Sequence, residues 1–208
     1  MRKTMLAGAA AGATILGAAA IYYFREKATP GPDYRVLSSD GDLEIRAYPP
    51  IVVAETVVRG PRKEALREGF RTLADYIFAK SRDGEALPMT VPVFQDGGDP
   101  MASDPPVFDD MVEGGWRVRF VMPEGRTASD LPKPPQAVEL VEVPARRVGV
   151  VRFSGVANDD RLSEHEDRLR GWLARQEERM EAEPEYAFYN SPMIPPPLRR
   201  SEVLIPIA

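Results

Sequence analysis

Length, composition and charge restrict the class of protein. The chain has 208 residues, 43% of them hydrophobic and 28% charged, which is typical of a globular protein with one domain-sized core. Its net charge of −5 leaves no excess of Lys and Arg to neutralise a phosphate backbone, so we expect no nucleic-acid partner. It has no cysteine, which excludes disulfides, thiolate catalysis and metal sites built from cysteine.

The N-terminal segment has the composition of a membrane anchor. Met5 to Phe24 carries no charge and is long enough, as a helix, to cross a hydrocarbon core of about 30 Å. Tyr22 to Phe24 stands where an aromatic belt would lie. Ala18 to Ala20 allows the alternative of a cleaved signal peptide. We predict an uncleaved signal-anchor over residues 1–27, a single transmembrane helix that leaves the domain on the periplasmic or extracytoplasmic side.

A Pro- and Gly-containing segment, residues 28–33, is predicted to link this anchor to a folded domain over residues 34–208. The domain begins with short alternating runs. Leu43 to Arg46 and the β-branched run Ile51 to Val58 predict two strands.

An amphipathic helix is predicted after Gly60-Pro61. Its apolar stripe consists of residues at helical spacing: Leu66, Phe70, Leu73 and Ile77. Gly69 inside this helix is unfavourable by about 1 kcal/mol relative to Ala, so we expect it to allow a close approach by a strand or a ligand.

The second half repeats this order at an offset of about 95 residues. Leu43 to Ile45 then matches Val138 to Leu140, and Gly60 matches Gly155 at the end of a second strand. A second helix is predicted from about Asp159 to Glu178. The remaining predicted strands are Met89 to Gln95, Trp116 to Met122, Arg147 to Phe153, Glu185 to Tyr189 and Glu202 to Ile207, with a loop between Asp96 and Gly115. Short strands with one helix in each half favour a pseudo-two-fold α+β domain, whose antiparallel strands form a twisted sheet or a distorted barrel with two helices outside.

Several segments in chain order resemble the signatures of the SOUL family of haem-binding proteins. They are Leu43 to Pro50, Glu68 to Ile77, Met89 to Val93, Val118 to Pro123, Leu131 to Pro134, Pro144 to Val148, Arg152 to Gly155, Tyr189 to Pro192 and Arg199 to Val203. The resemblance implies a distorted antiparallel β-barrel with two helices. It also implies non-covalent binding of haem or a related tetrapyrrole as the cofactor.

The same resemblance implies a groove on the first helix. Arg67 would lie near a propionate, Phe70 and Ala74 against the macrocycle, and Met193 and Ile194 on the opposite wall. Arginine suits a carboxylate because its planar fork can donate two parallel hydrogen bonds. Judged from its spacing alone, Phe70 is expected in the core.

His165, the only histidine, is a weak candidate for an axial ligand of the iron. Packing on its helix is the more common role for such a residue. Some SOUL members use a histidine at the position that is Ala47 here, so strong ligation of that kind is not expected. Met89 and Met193 are weaker candidates still, because a lone methionine usually fills a gap.

We expect a binding protein and not an enzyme, since no Gly-x-Ser-x-Gly elbow accompanies the single histidine. The expected function is binding of haem or another porphyrin in a shallow apolar groove at the membrane surface, for trafficking, buffering or sensing. Two alternatives stay open: an effector module for another amphipathic small molecule, or a membrane-tethered scaffold for a protein partner.

Overall fold

The computed structural model describes residues 28–97 and 115–208. The predicted anchor, Met5 to Phe24, lies outside these residues, as does most of the predicted loop between Asp96 and Gly115. Within the two described stretches, no helix combines the length and hydrophobicity that crossing a membrane requires.

The described residues form two α-helices, two short 3₁₀ helices (Ala128–Asp130 and Pro196–Leu198) and one antiparallel sheet. The helices are α1 (Arg62–Ile77) and α2 (Asp159–Arg175). The strands are β1 (Arg35–Asp40), β2 (Leu43–Tyr48), β3 (Ile51–Val58), β4 (Val93–Gly97), β5 (Trp116–Val121), β6 (Glu139–Val143), β7 (Arg146–Ser154), β8 (Glu185–Phe188) and β9 (Arg200–Ile207).

The strand order agrees with the duplication seen in the sequence. The sheet runs β1-β2-β7-β9-β8-β4-β5-β3-β6, with every pair antiparallel. Apart from β1, this order is symmetric about the β8–β4 pair, because β2, β7, β9 and β8 mirror β6, β3, β5 and β4. The α+β class is confirmed. The barrel is not confirmed, because β1 and β6 end the sheet and no pairing joins them among the described residues.

Both helices pack on one face of the sheet. Helix α1 lies on β3 and β5, and α2 lies on β7 and β9. Gly69 faces Val118 so closely that a Cβ at this position would lie 2.6 Å from a Val118 methyl carbon. The expected close approach at this glycine is therefore confirmed, and a strand makes it.

The other face of the sheet is also buried, although both helices lie elsewhere. It carries an apolar cluster that includes Tyr48, Phe94 and Leu204. It also carries buried charges such as Arg46 and Glu202. A flat sheet would expose this face to water, so the sheet must curve with this face on the inside and the helices outside.

The structure corrects three details of the predicted elements. Strand β1 was not predicted; it is an exposed edge strand and lacks the alternation that marks a half-buried one. The strand predicted from Met89 begins at Val93, because Val91 donates its N–H to the Pro30 carbonyl (3.0 Å) and Pro92 has none to donate.

The third correction concerns Asp96, which was placed in a loop. It lies in β4 and is buried, paired with Arg117 (2.9 Å) and Arg119 on the neighbouring strand. These partners come from a strand about twenty residues away, which a local reading of the sequence does not detect. On the same face Glu185 is paired with Arg146 (2.5 Å) and Arg119 (3.2 Å).

Candidate functional site

A cleft of about 530 Å³ lies between α1 and the chain around β8 and β9. One wall is the exposed side of α1, and the opposite wall is formed by residues 189–192 and 199–201. Its described lining residues are Thr29, Lys63, Leu66, Arg67, Phe70, Met89, Thr90, Val91, Val93, Gly155, Val156, Ala157, Phe188, Tyr189, Asn190, Ser191, Pro192, Arg199, Arg200 and Ser201. The volume lies within the range of about 300–1,000 Å³ that is usual for pockets of small molecules and cofactors.

Phe70 gives the α1 wall an aromatic surface. Its ring is 41% exposed and meets Phe120 edge-on, with 5.2 Å between the ring centroids. The expectation that Phe70 belongs to the core is therefore wrong. The residues of α1 that are buried against the sheet are Ala65, Gly69, Leu73, Tyr76 and Ile77. The small side chains at two of these positions bring α1 close to the sheet and leave Phe70 at the edge of the contact.

The charges that line the cleft have one sign. Lys63, Arg67, Arg199 and Arg200 are all basic, and none of the described lining residues is acidic. The whole chain carries a net charge of −5, so this concentration of positive charge is local. Such a surface favours an anionic group on the ligand.

A buried charge network fixes the wall opposite α1. Glu202 is fully buried and accepts hydrogen bonds from Arg46 (2.9 and 3.1 Å), Arg200 (2.6 and 3.0 Å) and Tyr189 (2.6 Å). Arg200 also stacks over the Tyr189 ring at 4.0 Å. Burial would raise the pKa of Glu202, but Arg46 and Arg200 outweigh that effect and lower it. Two residues of the cleft wall are thus held by one ionised carboxylate.

Two of the five residues expected to bind the tetrapyrrole line the cleft: Arg67 and Phe70. Ala74 is half-buried and packs against the core cluster beneath α1. Met193 is 81% exposed, and Ile194 is only 2% exposed. Neither is among the lining residues, so other residues of the same loop, Asn190 to Pro192, supply the opposite wall.

His165 lies on α2 and is not among the residues that line the cleft. Its ring stacks on Phe153, with 4.1 Å between the ring centroids, and its Nε2 lies 3.4 Å from Arg161. Burial, and then the positive charge of Arg161, lower the pKa of His165. These contacts describe a histidine packed against β7, outside the cleft.

Two side chains in the cleft belong to residue types that can ligate haem iron: Met89 and Tyr189. Tyr189 donates its hydroxyl proton to Glu202. Burial and the negative charge of Glu202 raise the pKa of Tyr189 well above its usual range. The phenolate that would bind iron is therefore disfavoured, and Met89 offers only a weak thioether ligand.

The sequence analysis missed several residues of the site. Lys63 stands one helical turn before Arg67, and this spacing alone could have indicated that both face the cleft. Tyr189, Arg199 and Arg200 lie within segments that carry the SOUL resemblance, but their orientation depends on Glu202 and on loop contacts. No local pattern reports such contacts.

A second large cavity, of about 560 Å³, has the opposite electrostatic character. It lies where residues 30–33 pass the sheet, and its charged lining residues are Asp33, Glu124, Glu142 and Arg126. With three acidic side chains and one basic side chain in its lining, this cavity would repel a carboxylate. The cleft beside α1 is therefore the better site for a ligand that carries propionates.

The family model that describes the SOUL heme-binding protein matches residues 29–206. The chain belongs to the SOUL family. No curated protein sequence matches it. The family's description as heme-binding agrees with the apolar and basic cleft.

Solved structures share the fold of this SOUL protein at low sequence identity. A chain of the EcmrR–DNA complex in EcmrR-RPo matches with a TM-score of 0.58 at 14% identity, over 79% of this chain and 56% of that one. This chain thus spans about half the length of that protein. The EcmrR C-terminal domain matches with a TM-score of 0.54 at 12% identity, over 84% and 98% of the two chains. An uncharacterized conserved protein from Listeria innocua matches with a TM-score of 0.58 at 10% identity, over 82% of this chain and 94% of that one.

Proposed function

We propose that this protein binds haem or a related tetrapyrrole, without catalysis, in the cleft beside α1 at the surface of a membrane. Binding of this kind serves trafficking, buffering or sensing. One observation carries the proposal. The cleft combines an apolar interior with four basic side chains and, among its described lining residues, no acidic one. A porphyrin presents the complementary chemistry, a flat apolar ring with carboxylates at one edge.

The residues of the cleft fit the macrocycle better than they fit the iron. Phe70, Val156 and Phe188 offer apolar surface to a flat ring, and the exposed side chains of Lys63 and Arg67 offer charge on the first two turns of α1. His165 lies on α2, outside the cleft, and the Tyr189 hydroxyl donates a hydrogen bond to Glu202. We therefore expect an iron-free porphyrin to bind within a few-fold of hemin.

The test is a titration of the full chain in detergent micelles with hemin, followed by its Soret absorbance. We expect a saturable Soret shift. Replacing Arg67 by Glu should weaken binding by about 1–3 kcal/mol, roughly 5- to 150-fold, through loss of a charge-assisted contact and repulsion of the propionate.

The matched control is Arg175→Glu, which makes the same change of charge at the exposed far end of α2. It lies about 25 Å along that helix from the end nearest the cleft, beyond the Debye length of roughly 8–10 Å. The Arg175→Glu variant should therefore bind hemin with the same affinity as the parent chain. An absent Soret shift, or an equal loss in both variants, would refute binding in this cleft.

An effector module for another amphipathic molecule is the second candidate. It is favoured by the lack of a histidine in the cleft. Competition of a fluorescent porphyrin with fatty acids separates the two, because stronger displacement by a fatty acid than by unlabelled porphyrin would assign the cleft to lipid-like ligands.

A further inference from the structure

The loop beside the cleft presents an unusual apolar surface. Pro192 to Leu198 reads Pro-Met-Ile-Pro-Pro-Pro-Leu, without a charged or polar side chain. Every residue of this apolar loop except Ile194 is exposed, with Met193 at 81% and Leu198 at 50%. Contiguous exposed apolar residues on a folded protein mark a surface that contacts something other than water.

The apolar loop is held in shape while it exposes Met193. Ile194 anchors it from below, being only 2% exposed. Arg199 donates from Nε to the Ile194 carbonyl and from Nη2 to the Pro192 carbonyl, both at 2.7 Å. The four prolines each fix a backbone angle. Met193 therefore projects from a stiff loop, so a contact through its side chain requires little further loss of conformational entropy.

The apolar loop flanks the point at which the chain arrives from its N-terminal segment. Thr29 and Pro192 both line the cleft. Thr29 and Leu198 both line a smaller neighbouring cavity of about 280 Å³. Only four residues lie between Thr29 and Phe24, the last residue of the apolar run, so the five steps from one Cα atom to the next span at most about 18 Å. If Met5 to Phe24 crosses a bilayer, the loop and the cleft mouth lie beside that bilayer.

We propose that the apolar loop inserts into the membrane interface and that the mouth of the cleft opens onto the bilayer. The inference rests on the proposed function and specifies how the ligand enters, directly from the lipid. The occupant of this surface is a bilayer with anionic phospholipids, because the cleft beside the loop carries four basic residues and the loop itself carries no acid to repel lipid phosphates. Phe70 and Val156, both exposed, continue the apolar surface from the loop into the cleft.

The absence of cysteine from the chain allows a direct test, since one introduced cysteine is the only site that a thiol-reactive nitroxide can label. The full chain with Met193→Cys is labelled and reconstituted into vesicles of phosphatidylcholine and phosphatidylglycerol. Collisions of the label with oxygen, which concentrates in lipid, are compared with collisions with a water-soluble nickel chelate. The matched control is Gln176→Cys, exposed just beyond the far end of α2.

We expect the oxygen-to-nickel ratio at position 193 to be several-fold higher than at position 176. A water-like ratio at both positions, or protection of position 193 from both reagents as in a protein contact, would overturn the proposal. So would a full chain that does not float with the vesicles. A hemin titration of the same vesicles keeps the two proposals apart: hemin binding with a water-exposed position 193 refutes only the docking, and a lipid-exposed position 193 without hemin binding refutes only the ligand.

Discussion

Replacing Glu202 by Gln tests the buried charge network behind the cleft wall. The Glu202 carboxylate accepts five hydrogen bonds, from Arg46, Arg200 and Tyr189, and both Glu202 and Arg46 are fully buried. In the variant an NH₂ group faces guanidinium donors, and the buried Arg46 keeps only Glu44, at 2.6 Å, as an ionised partner. Breaking a buried pair in this way is unfavourable by about 3–5 kcal/mol. For a domain of this size that predicts a fall in Tm of roughly 6–20 °C.

Urea unfolding followed by tryptophan fluorescence measures the loss, with Glu181→Gln as the matched control. Glu181 pairs with Arg179 at 2.9 Å, but both side chains are largely exposed, so its loss should be below about 1 kcal/mol. Equal losses of free energy of unfolding for the two variants would refute the claim that Glu202 forms its ion pairs in a buried, water-free environment. Replacing Glu202 and Arg46 together by apolar residues should recover part of the stability, because the fully buried Arg46 charge is then removed, whereas Arg200 and Glu44, which lose their partners, are less deeply buried and can be solvated.

Three further predictions concern stability, and urea unfolding measures each of them. Burial would raise the pKa of Glu185, but Arg119 and Arg146 outweigh it and hold the pKa at about 2, against an ordinary 4.5. The ionised Glu185 therefore contributes fully to the free energy of unfolding above about pH 5, and this contribution is lost as the pH falls towards 2. Glu185→Gln should reduce the dependence of the free energy of unfolding on pH in this range. An unchanged pH dependence would argue against the pairing. Gly69→Ala should be destabilising by about 1–3 kcal/mol through the clash with Val118. The double variant Gly69→Ala, Val118→Ala should lose less free energy of unfolding than the sum of the two single variants. Additive losses would contradict the contact. Ile194→Ala should be destabilising by about 2–5 kcal/mol, whereas the adjacent Met193→Ala should change stability by no more than about 0.5 kcal/mol; similar losses would contradict the orientation of the loop.

Local patterns predicted most of the fold. The apolar periodicity located the first helix, and the 95-residue repeat located the second and anticipated a symmetric strand order. Closure into a barrel could not be read from the sequence, because closure depends on pairing between edges that are distant in the chain. Strand β1 escaped notice for a related reason: it is exposed along its length, so burial leaves no alternation in its residues.

The site was predictable only where it lies on one helix. The resemblance indicated Arg67 as a site residue, and the structure places it among the residues that line the cleft. The opposite wall depends on Glu202, which reaches Arg46 across 156 positions of sequence, and such a pair has no local signature. Met193 and Ile194 illustrate the same limit. A loop composed only of Pro and other apolar residues does not reveal from its sequence which side chain anchors it and which one projects from it.

The location of a bound porphyrin tests the account most directly. Manganese protoporphyrin is paramagnetic and broadens the amide resonances near it, and the zinc form serves as the diamagnetic reference. The account predicts broadening at Arg67, Val156 and Asn190 of the cleft, with Gly125 and Glu142 of the acidic cavity unaffected. Broadening centred on Gly125 and Glu142, with the cleft resonances unchanged, would contradict it.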